Sequence, residues 1–408
     1  MLLRYGFRLY PNGPQRAALA RAFGCARVVF NDALRIRKDA HTQDLPFPKA
    51  TELSKRVITE AKKTPERAWL GEVSAVVLQQ SLRDLEAAYS NFFSSLKGTR
   101  KGPKIQEPRF KSRKDTRQCL RFTANARWSI TPGGDLHLPK IGDVRVKWSR
   151  TLPCVPSTVT VIKDSADRYF CSFVIETDLD EVLPATTWEV GVDLGLGHFA
   201  VLSDGRKIDA PRFLRRAEKK LKRAQQALSR KVKGSNNREK ARHKVARAHA
   251  RVADARREFH HQLSTKLIRE NQAIAVENLA VKALARTRLA KSVHDAGWAQ
   301  FLAMLEYKAA RYGRTVVRIG RFEPTSQVCS ACGIKDGPKP LHVREWTCGA
   351  CGTVLDRDIN AAVNIGRAAG LAVTACGAQV RPRLLPAQRG EAGTHRDGQP
   401  TVVGIPRL

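Results

Sequence analysis

Val190-Gly191-Val192-Asp193-Leu194-Gly195 is an apolar run that ends on an acid and a glycine, and it decides how the second half of the chain reads. Trp188 to Leu194, Phe199 to Ser203 and Lys207 to Ala210 are predicted to form three consecutive strands, with Gly195, Gly197 and Asp204-Gly205 in the turns between them. An Asp after an apolar strand is by itself an ordinary turn residue. Two further acids, far along the chain, give this one its meaning.

The first of these is Glu277 in Ile274-Ala275-Val276-Glu277-Asn278-Leu279, where Gln272 to Val276 reads as a short buried strand. The second is Asp358 in Asp356-Arg357-Asp358-Ile359-Asn360-Ala361-Ala362. It opens a helix through Ala361, Ala362, Ile365 and Ala368, and an acid at a helix start is favourable in its own right. A helix from about Trp298 to Tyr312 and a strand from Thr315 to Gly320 complete the alternation, which suits an RNase H-like sheet. Acids on a central strand, a neighbouring strand and an adjacent helix can converge. Clustered carboxylates repel unless hard cations such as Mg2+ neutralise them, so two such ions are expected, with Asp193 bridging both. Ions about 3.5 to 4 Å apart would activate a water and stabilise a leaving 3′ oxygen in phosphodiester hydrolysis. Asp356 competes for the third role; Asp358 is preferred because it directly precedes the Ile-Asn-Ala-Ala helix.

Between the second and third acids lie Cys329, Cys332, Cys348 and Cys351, two Cys-x2-Cys pairs fifteen residues apart, with Gly333 and Gly352 after each second cysteine. That spacing predicts a structural zinc ribbon holding one Zn2+ through four thiolates, closed to substrate. The other five cysteines are scattered and read as small apolar residues, which suggests a reducing compartment.

Lys and Arg number 73 against 38 Asp and Glu, a formal net charge of +35. Such an imbalance points to a polyanionic partner. It is concentrated: residues 206 to 270 hold 22 Lys and Arg against six acids, on two helical stripes separated by Gly234-Ser235-Asn236-Asn237, hence a helical hairpin with a basic exterior. Lys97 to Lys114 carries eight basic residues and one acid around Gly102-Pro103 and Pro108, and Arg109, Lys111 and Arg113 there suit phosphate contacts. No run of 18 apolar residues occurs and the first residues carry charge, so neither a membrane span nor a signal peptide is expected, and a cytoplasmic location follows.

The first half reads as an opening strand from Leu3 to Tyr10, a helical region, and then short strands at Leu120 to Thr123, Asp143 to Trp148, Thr158 to Ile162 and Tyr169 to Ile175. These predict a small antiparallel barrel completed by the N-terminal strand. Ser74 to Leu96 is helix-periodic, with Leu78, Leu82, Leu85, Tyr89, Phe92 and Leu96 on one face. The main domain boundary is expected near residue 185.

On these motifs, together with Leu78-Gln79-Gln80-Ser81-Leu82-Arg83-Asp84-Leu85 and Pro108-Arg109-Phe110-Lys111, the chain resembles the TnpB family of transposon-encoded RNA-guided DNA nucleases, relatives of the miniature type V CRISPR effectors. The resemblance covers nearly the whole chain. It implies a multidomain α+β protein: a wedge-type β-barrel at 1–12 and 116–185, and a helical recognition domain inserted at 13–115. A RuvC nuclease domain at 186–323 and 354–370 and a zinc ribbon at 324–353 would follow, while the tail at 371–408 has no clear counterpart and is expected from its Gly, Pro and Arg content to be largely disordered. It implies a guide RNA from the transposon end, a single protein copy in the RNA complex, and double-stranded target DNA cut beside a short transposon-adjacent motif in a staggered break at Asp193, Glu277 and Asp358. By position, Gln79 and Thr123 correspond to residues that contact the motif duplex. Three other readings remain open: a nuclease-inactive RNA-guided regulator, which typically loses one or more of the acids, a zinc-ribbon nucleic-acid binder with no chemistry, and a transposase with an RNase H-like fold. Against the last stands the absence of a His-hydrophobic-His motif with a catalytic tyrosine.

Overall fold

A computed structural model describes residues 2–115, 117–177, 182–340 and 342–372. The chain divides into two compact units, Met1–Asp178 and Leu179–Leu408. The tail expected beyond residue 370 lies, apart from Leu371 and Ala372, outside the described residues.

The first unit runs β1 (Leu2–Tyr10), α1 (Gly13–Thr42), α2 (Ala50–Ser54), short π and 3-10 turns up to Glu72, α3 (Ala75–Leu96), β2 (Gln118–Thr123), β3 (Ser129–Ile130), β4 (Leu136–Leu138), β5 (Gly142–Lys147), β6 (Thr158–Lys163) and β7 (Tyr169–Glu176). In β1 every second residue, Tyr5, Phe7 and Leu9, is buried, as a strand with one solvated face requires. Asn12 and Gln15 form a reciprocal capping box that stops the strand and starts α1. The seven strands follow the order β2-β6-β7-β1-β5-β4-β3, so β1 pairs in mid-sheet although it comes first in sequence. The expected barrel is realised as an open, half-barrel sheet, with β2 and β3 as the end strands of the ladder. Phe7, Trp148 and Phe173 pack together on it, Trp148 stacked on Phe173 at 5.8 Å and tilted on Phe7 at 4.7 Å. In α3, Leu78, Leu82, Leu85 and Tyr89 are buried as the stripe predicts, whereas Leu96 in the last turn is exposed.

The second unit runs β8 (Glu189–Asp193), β9 (His198–Leu202), β10 (Lys207–Asp209), α4 (Phe213–Ser229), α5 (Asn236–Glu270), β11 (Ala273–Glu277), α6 (Val281–Leu284), α7 (Ala290–Ala296), α8 (Trp298–Tyr312), β12 (Thr315–Ile319), β13 (Glu345–Thr347), β14 (Val354–Asp356) and α9 (Arg357–Ala368). Its main sheet has the order β10-β9-β8-β11-β12, with β9 antiparallel to both β8 and β10 and β11 parallel to both β8 and β12. The parallel strands are apolar almost throughout because both faces are covered. Val190, Val192, Ile274 and Val276 join the core that contains Phe301, Leu302 and Leu305 of α8 and Leu263 and Leu267 of α5. Ala275 packs instead with Ile365 of α9.

Gly191 sets how closely α9 approaches that second face. A Cβ built on it would lie 2.0 Å from the Ala362 carbonyl oxygen and 2.7 Å from the Gly366 nitrogen, so helix backbone lies directly on strand backbone. Gly191→Ala must therefore push α9 off the sheet. A loss of about 3 kcal/mol or more is expected, which a thermal melt would read as a fall of roughly 6–12 °C. An unchanged melting temperature would contradict this contact.

Candidate carboxylate site and thiol cluster

Val276 pairs with Val192 in the parallel register of β11 and β8, so Glu277 and Asp193, one step further on, occupy equivalent ends of neighbouring strands. Side chains two residues apart share a face, which puts Asp193 on the face of Gly191 and Glu277 on that of Ala275, the face covered by α9. Asp358 lies in the first turn of α9, one turn before Ala362, which sits over Gly191. The three sequence-predicted acids are thus brought to one edge of one sheet face.

Their mutual field is visible in Asp193. Burial, then the charges of Glu277 and Asp358, push its carboxyl up to about 7, with Arg357 pulling the other way. Each of the other two has a protein partner. Thr325 Oγ1 donates to Glu277 Oε1 at 2.9 Å, and Arg344 Nη1 lies 3.4 Å from both Asp358 oxygens. Carboxylate oxygens gathered at one edge suit a hard divalent cation, and Asp193, Glu277 and Asp358 are the residues that could hold Mg2+. Asp356 has a different task. It is the N-cap of α9, its Oδ1 accepting from the Asp358 and Ile359 amides at 3.0 Å each, and Lys207 pairs with its other oxygen. Burial alone would push the Asp356 carboxyl up, but Lys207 and the two amides hold it low. With the cap supplied by Asp356, Asp358 is free to point elsewhere.

The four predicted cysteines meet. All four Sγ atoms lie within 4.8 Å of one another, and among the described residues they are the one group of three or more metal-ligating side chains that close; the three carboxylates are spread wider. Cys329–Cys351 and Cys332–Cys348 are each 3.7 Å apart. A tetrahedral zinc ion with Zn–S near 2.3 Å requires sulfurs about 3.8 Å apart, which the two 3.7 Å pairs match, so the four thiols suit Zn2+. Gly333 and Gly352 adopt φ of +77° and +69°, which lets Gly333 N bond Cys329 O and Gly352 N bond Cys348 O in two knuckle turns. Within the four mutually hydrogen-bonded thiols, bonding by Thr353 pulls Cys351 low, whereas at Cys332 the lowering by the Ile334 backbone is outweighed by burial and the neighbouring sulfurs, which push the thiol up.

Sequence reasoning missed what ties the cluster to the acids. Asn360 and Asn364 of α9, both buried, each donate to the carbonyl oxygens of Thr325 (3.3 and 2.8 Å) and Val328 (2.8 and 2.7 Å), and Asn360 Oδ1 accepts from Ser330 N at 2.7 Å. Two Asn four apart on a helix otherwise buried against a sheet are a legible signal, because buried amides must find partners.

Of the predicted nucleic-acid contacts, all in the first unit, Gln79 is exposed on α3 and Thr123 is half-buried at the end of β2. Arg121 of β2 reaches Asp84 of α3 at 3.4 Å and joins these elements. Arg109 and Arg113 are exposed. Lys111 is engaged within the chain, its backbone bonded twice to the Asn31 side chain and its Nζ 3.9 Å from the Phe30 ring centroid. No helix among the described residues is long and apolar enough to cross a membrane.

Three family models match. Residues 172–288 match the OrfB_IS605 model, described as a probable transposase; residues 298–365 match the TNB domain of Cas12f1-like proteins; residues 1–45 match the helix-turn-helix domain of OrfB_IS605. A protein of Streptomyces pristinaespiralis named "Putative RNA-guided DNA endonuclease" is 44% identical over 99% of this chain and 98% of its own length. A protein of Escherichia coli K12 with the same description, InsQ, is 32% identical over 93% and 95%. Among solved structures, a chain of a Cas12f1-sgRNA-target DNA complex superposes with a TM-score of 0.50 at 14% identity, covering 86% of this chain and 82% of that one, a likeness of fold.

Proposed function

This chain belongs to the TnpB family of IS605 OrfB proteins, and on that premise we propose that it is an RNA-guided endonuclease that cuts double-stranded DNA beside a short adjacent motif. The observation that carries the reading is the placement of Asp193, Glu277 and Asp358 at one edge of one sheet face, near enough for the charges of the last two to add to burial in raising the Asp193 carboxyl. All three acids are present, which favours a cutting enzyme over a regulator that only binds. When bound there, two Mg2+ ions would supply Lewis-acid activation of water and neutralisation of the leaving 3′ oxygen. The protein's part is to hold three carboxylates on rigid elements: two parallel strands and a helix locked down by Gly191. Lys207 and Arg344 partner Asp356 and Asp358, so the least compensated negative charge falls at Asp193 and Glu277.

The sequence boundaries acquire roles in this reading: a wedge-type sheet at 1–12 and 116–185, a helical recognition domain at 13–115, RuvC at 186–323 and 354–370, and a zinc ribbon at 324–353. The +35 charge would hold a guide RNA from the transposon end, whose pairing reads the target, while Gln79 and Thr123 would face the motif duplex and Arg109, Lys111 and Arg113 phosphates. Co-expression with the native flanking DNA tests this directly. A discrete RNA should co-purify, and the complex should cut a randomised-motif plasmid library in Mg2+ at one enriched motif. Recovery of no discrete RNA, or strand-transfer products with transposon ends, would favour the binder or transposase readings.

A further inference from the structure

Thr325 sits four residues before the first zinc-ligating cysteine and is 7% exposed, yet its hydroxyl faces the carboxylate site rather than the sulfurs. A carboxylate can only accept, so the hydroxyl must be the donor in its 2.9 Å bond to Glu277 Oε1. Its own backbone is fixed from the opposite side. The Thr325 carbonyl oxygen takes Asn364 Nδ2 at 2.8 Å and Asn360 Nδ2 at 3.3 Å, and the same two amides hold Val328 O. Thr325 is therefore a rigid donor, not a surface hydroxyl that rotates to suit. Glu277 hangs at a strand end on three rotatable bonds, and without a fixed partner it would have to lose that freedom on every cation-binding event.

We propose that Thr325 is a positioning residue for Glu277: it occupies one lone pair of Oε1, fixes the plane of the carboxylate, and leaves the remaining oxygen positions turned toward a divalent cation shared with Asp193 and Asp358. The proposal rests on the cation-binding reading of those acids. It also gives the zinc ribbon a second task, since the loop that carries Thr325 runs straight into Cys329, and the helix that carries Asp358 supplies the two amides that anchor it. Partners of metal ligands typically change metal affinity about 10- to 100-fold when removed.

The test uses the full chain with Thr325→Val, which keeps the β-branched shape and removes the donor, Thr325→Ala, which cannot overfill the site, and Thr325→Ser, which restores the hydroxyl. Mn2+ binding is followed by electron paramagnetic resonance, with Asp193→Ala defining the signal that belongs to the carboxylates. Thr325→Val and Thr325→Ala should each weaken that Mn2+ site about 10-fold or more, and raise by a similar factor the Mg2+ concentration for half-maximal cleavage, with one zinc per chain and an unchanged melting temperature. Thr325→Ser should recover most of the loss. Wild-type affinity in both Thr325→Val and Thr325→Ala would overturn the proposal while leaving the cation site standing. Loss of zinc or early melting in both would overturn it too, because the hydroxyl would then serve the loop rather than Glu277. A wild-type protein with no Mn2+ signal removed by Asp193→Ala would bring down the underlying site reading instead.

Discussion

Asp193→Ala is expected to lower DNA cleavage by about 10³-fold or more while RNA loading and binding of motif-bearing DNA persist. Burial, then the charges of Glu277 and Asp358, push the Asp193 carboxyl up, and this residue ends the middle strand of the five-stranded sheet, where β8 lies between β9 and β11. On the proposed two-cation reading, removing a ligand shared by both ions would forfeit several kcal/mol of charge stabilisation in the transition state, and about 4 kcal/mol corresponds to 10³ in rate. On the same reading binding would persist, because phosphate contacts and guide pairing would not depend on Asp193. The same residue fixes a pH dependence. With its carboxyl pushed up to about 7, a proton competes with the cation below that pH, so cation affinity should fall about tenfold per unit as pH drops below 7 and level off above it. For the cation-free fold the sign is opposite. An acid whose proton affinity rises on folding contributes most near and below its unfolded value of 3.8, and that contribution is lost as pH climbs to about 7. Full cleavage by Asp193→Ala, or cation affinity flat between pH 5 and 8, would defeat the assignment.

What could be read beforehand divides along physical lines. Asp193 and Glu277 were legible because each ends an apolar run too short for a helix, and the three-strand start at β8 announces itself through Asp204-Gly205. The thiol cluster was legible because zinc imposes spacing on the chain itself. The strands β3 and β4, two and three residues long, were not, since a period of two needs more residues than that to register. Nor was the open ladder of the first sheet, because closure depends on which edges bond rather than on any one strand's pattern. The segment after α1, with its π turn at Lys55–Glu60 and 3-10 turn at Ala68–Glu72, has no clean periodicity to read. The roles of Asn360 and Asn364 were not read, because the helical pattern weighs apolar positions and says nothing about which carbonyls a buried amide will meet. The cap was open for a similar reason: Asp356 and Asp358 are both good caps, and only the backbone decides that Asp356 takes the amides.

The buried amides lead to the second large effect. Cys329→Ser, or stripping with a zinc-selective chelator, is expected to abolish cleavage even in saturating Mg2+, with re-added zinc and not Mg2+ restoring the chelated protein. Structural zinc contributes roughly 10–16 kcal/mol in small four-ligand modules, as much as the whole stability of a typical domain. Here its loss would reach beyond the ribbon. Once the knuckle at 329–333 opens, Thr325 O, Val328 O and Ser330 N leave the Asn360 and Asn364 side chains, and each buried amide left unpaired costs about 1–3 kcal/mol. Those amides lie on the helix that carries Asp358, and Thr325 is the donor to Glu277, so two of the three acids lose their supports together. Hydrogen exchange gives the readout that separates this from a local effect: the Ser330 amide and the α9 backbone should lose protection in the zinc-free protein, while β1 and β7 in the other unit keep theirs. Zinc-free protein that still cuts and still protects α9 would show that the ribbon and the carboxylate site are energetically independent.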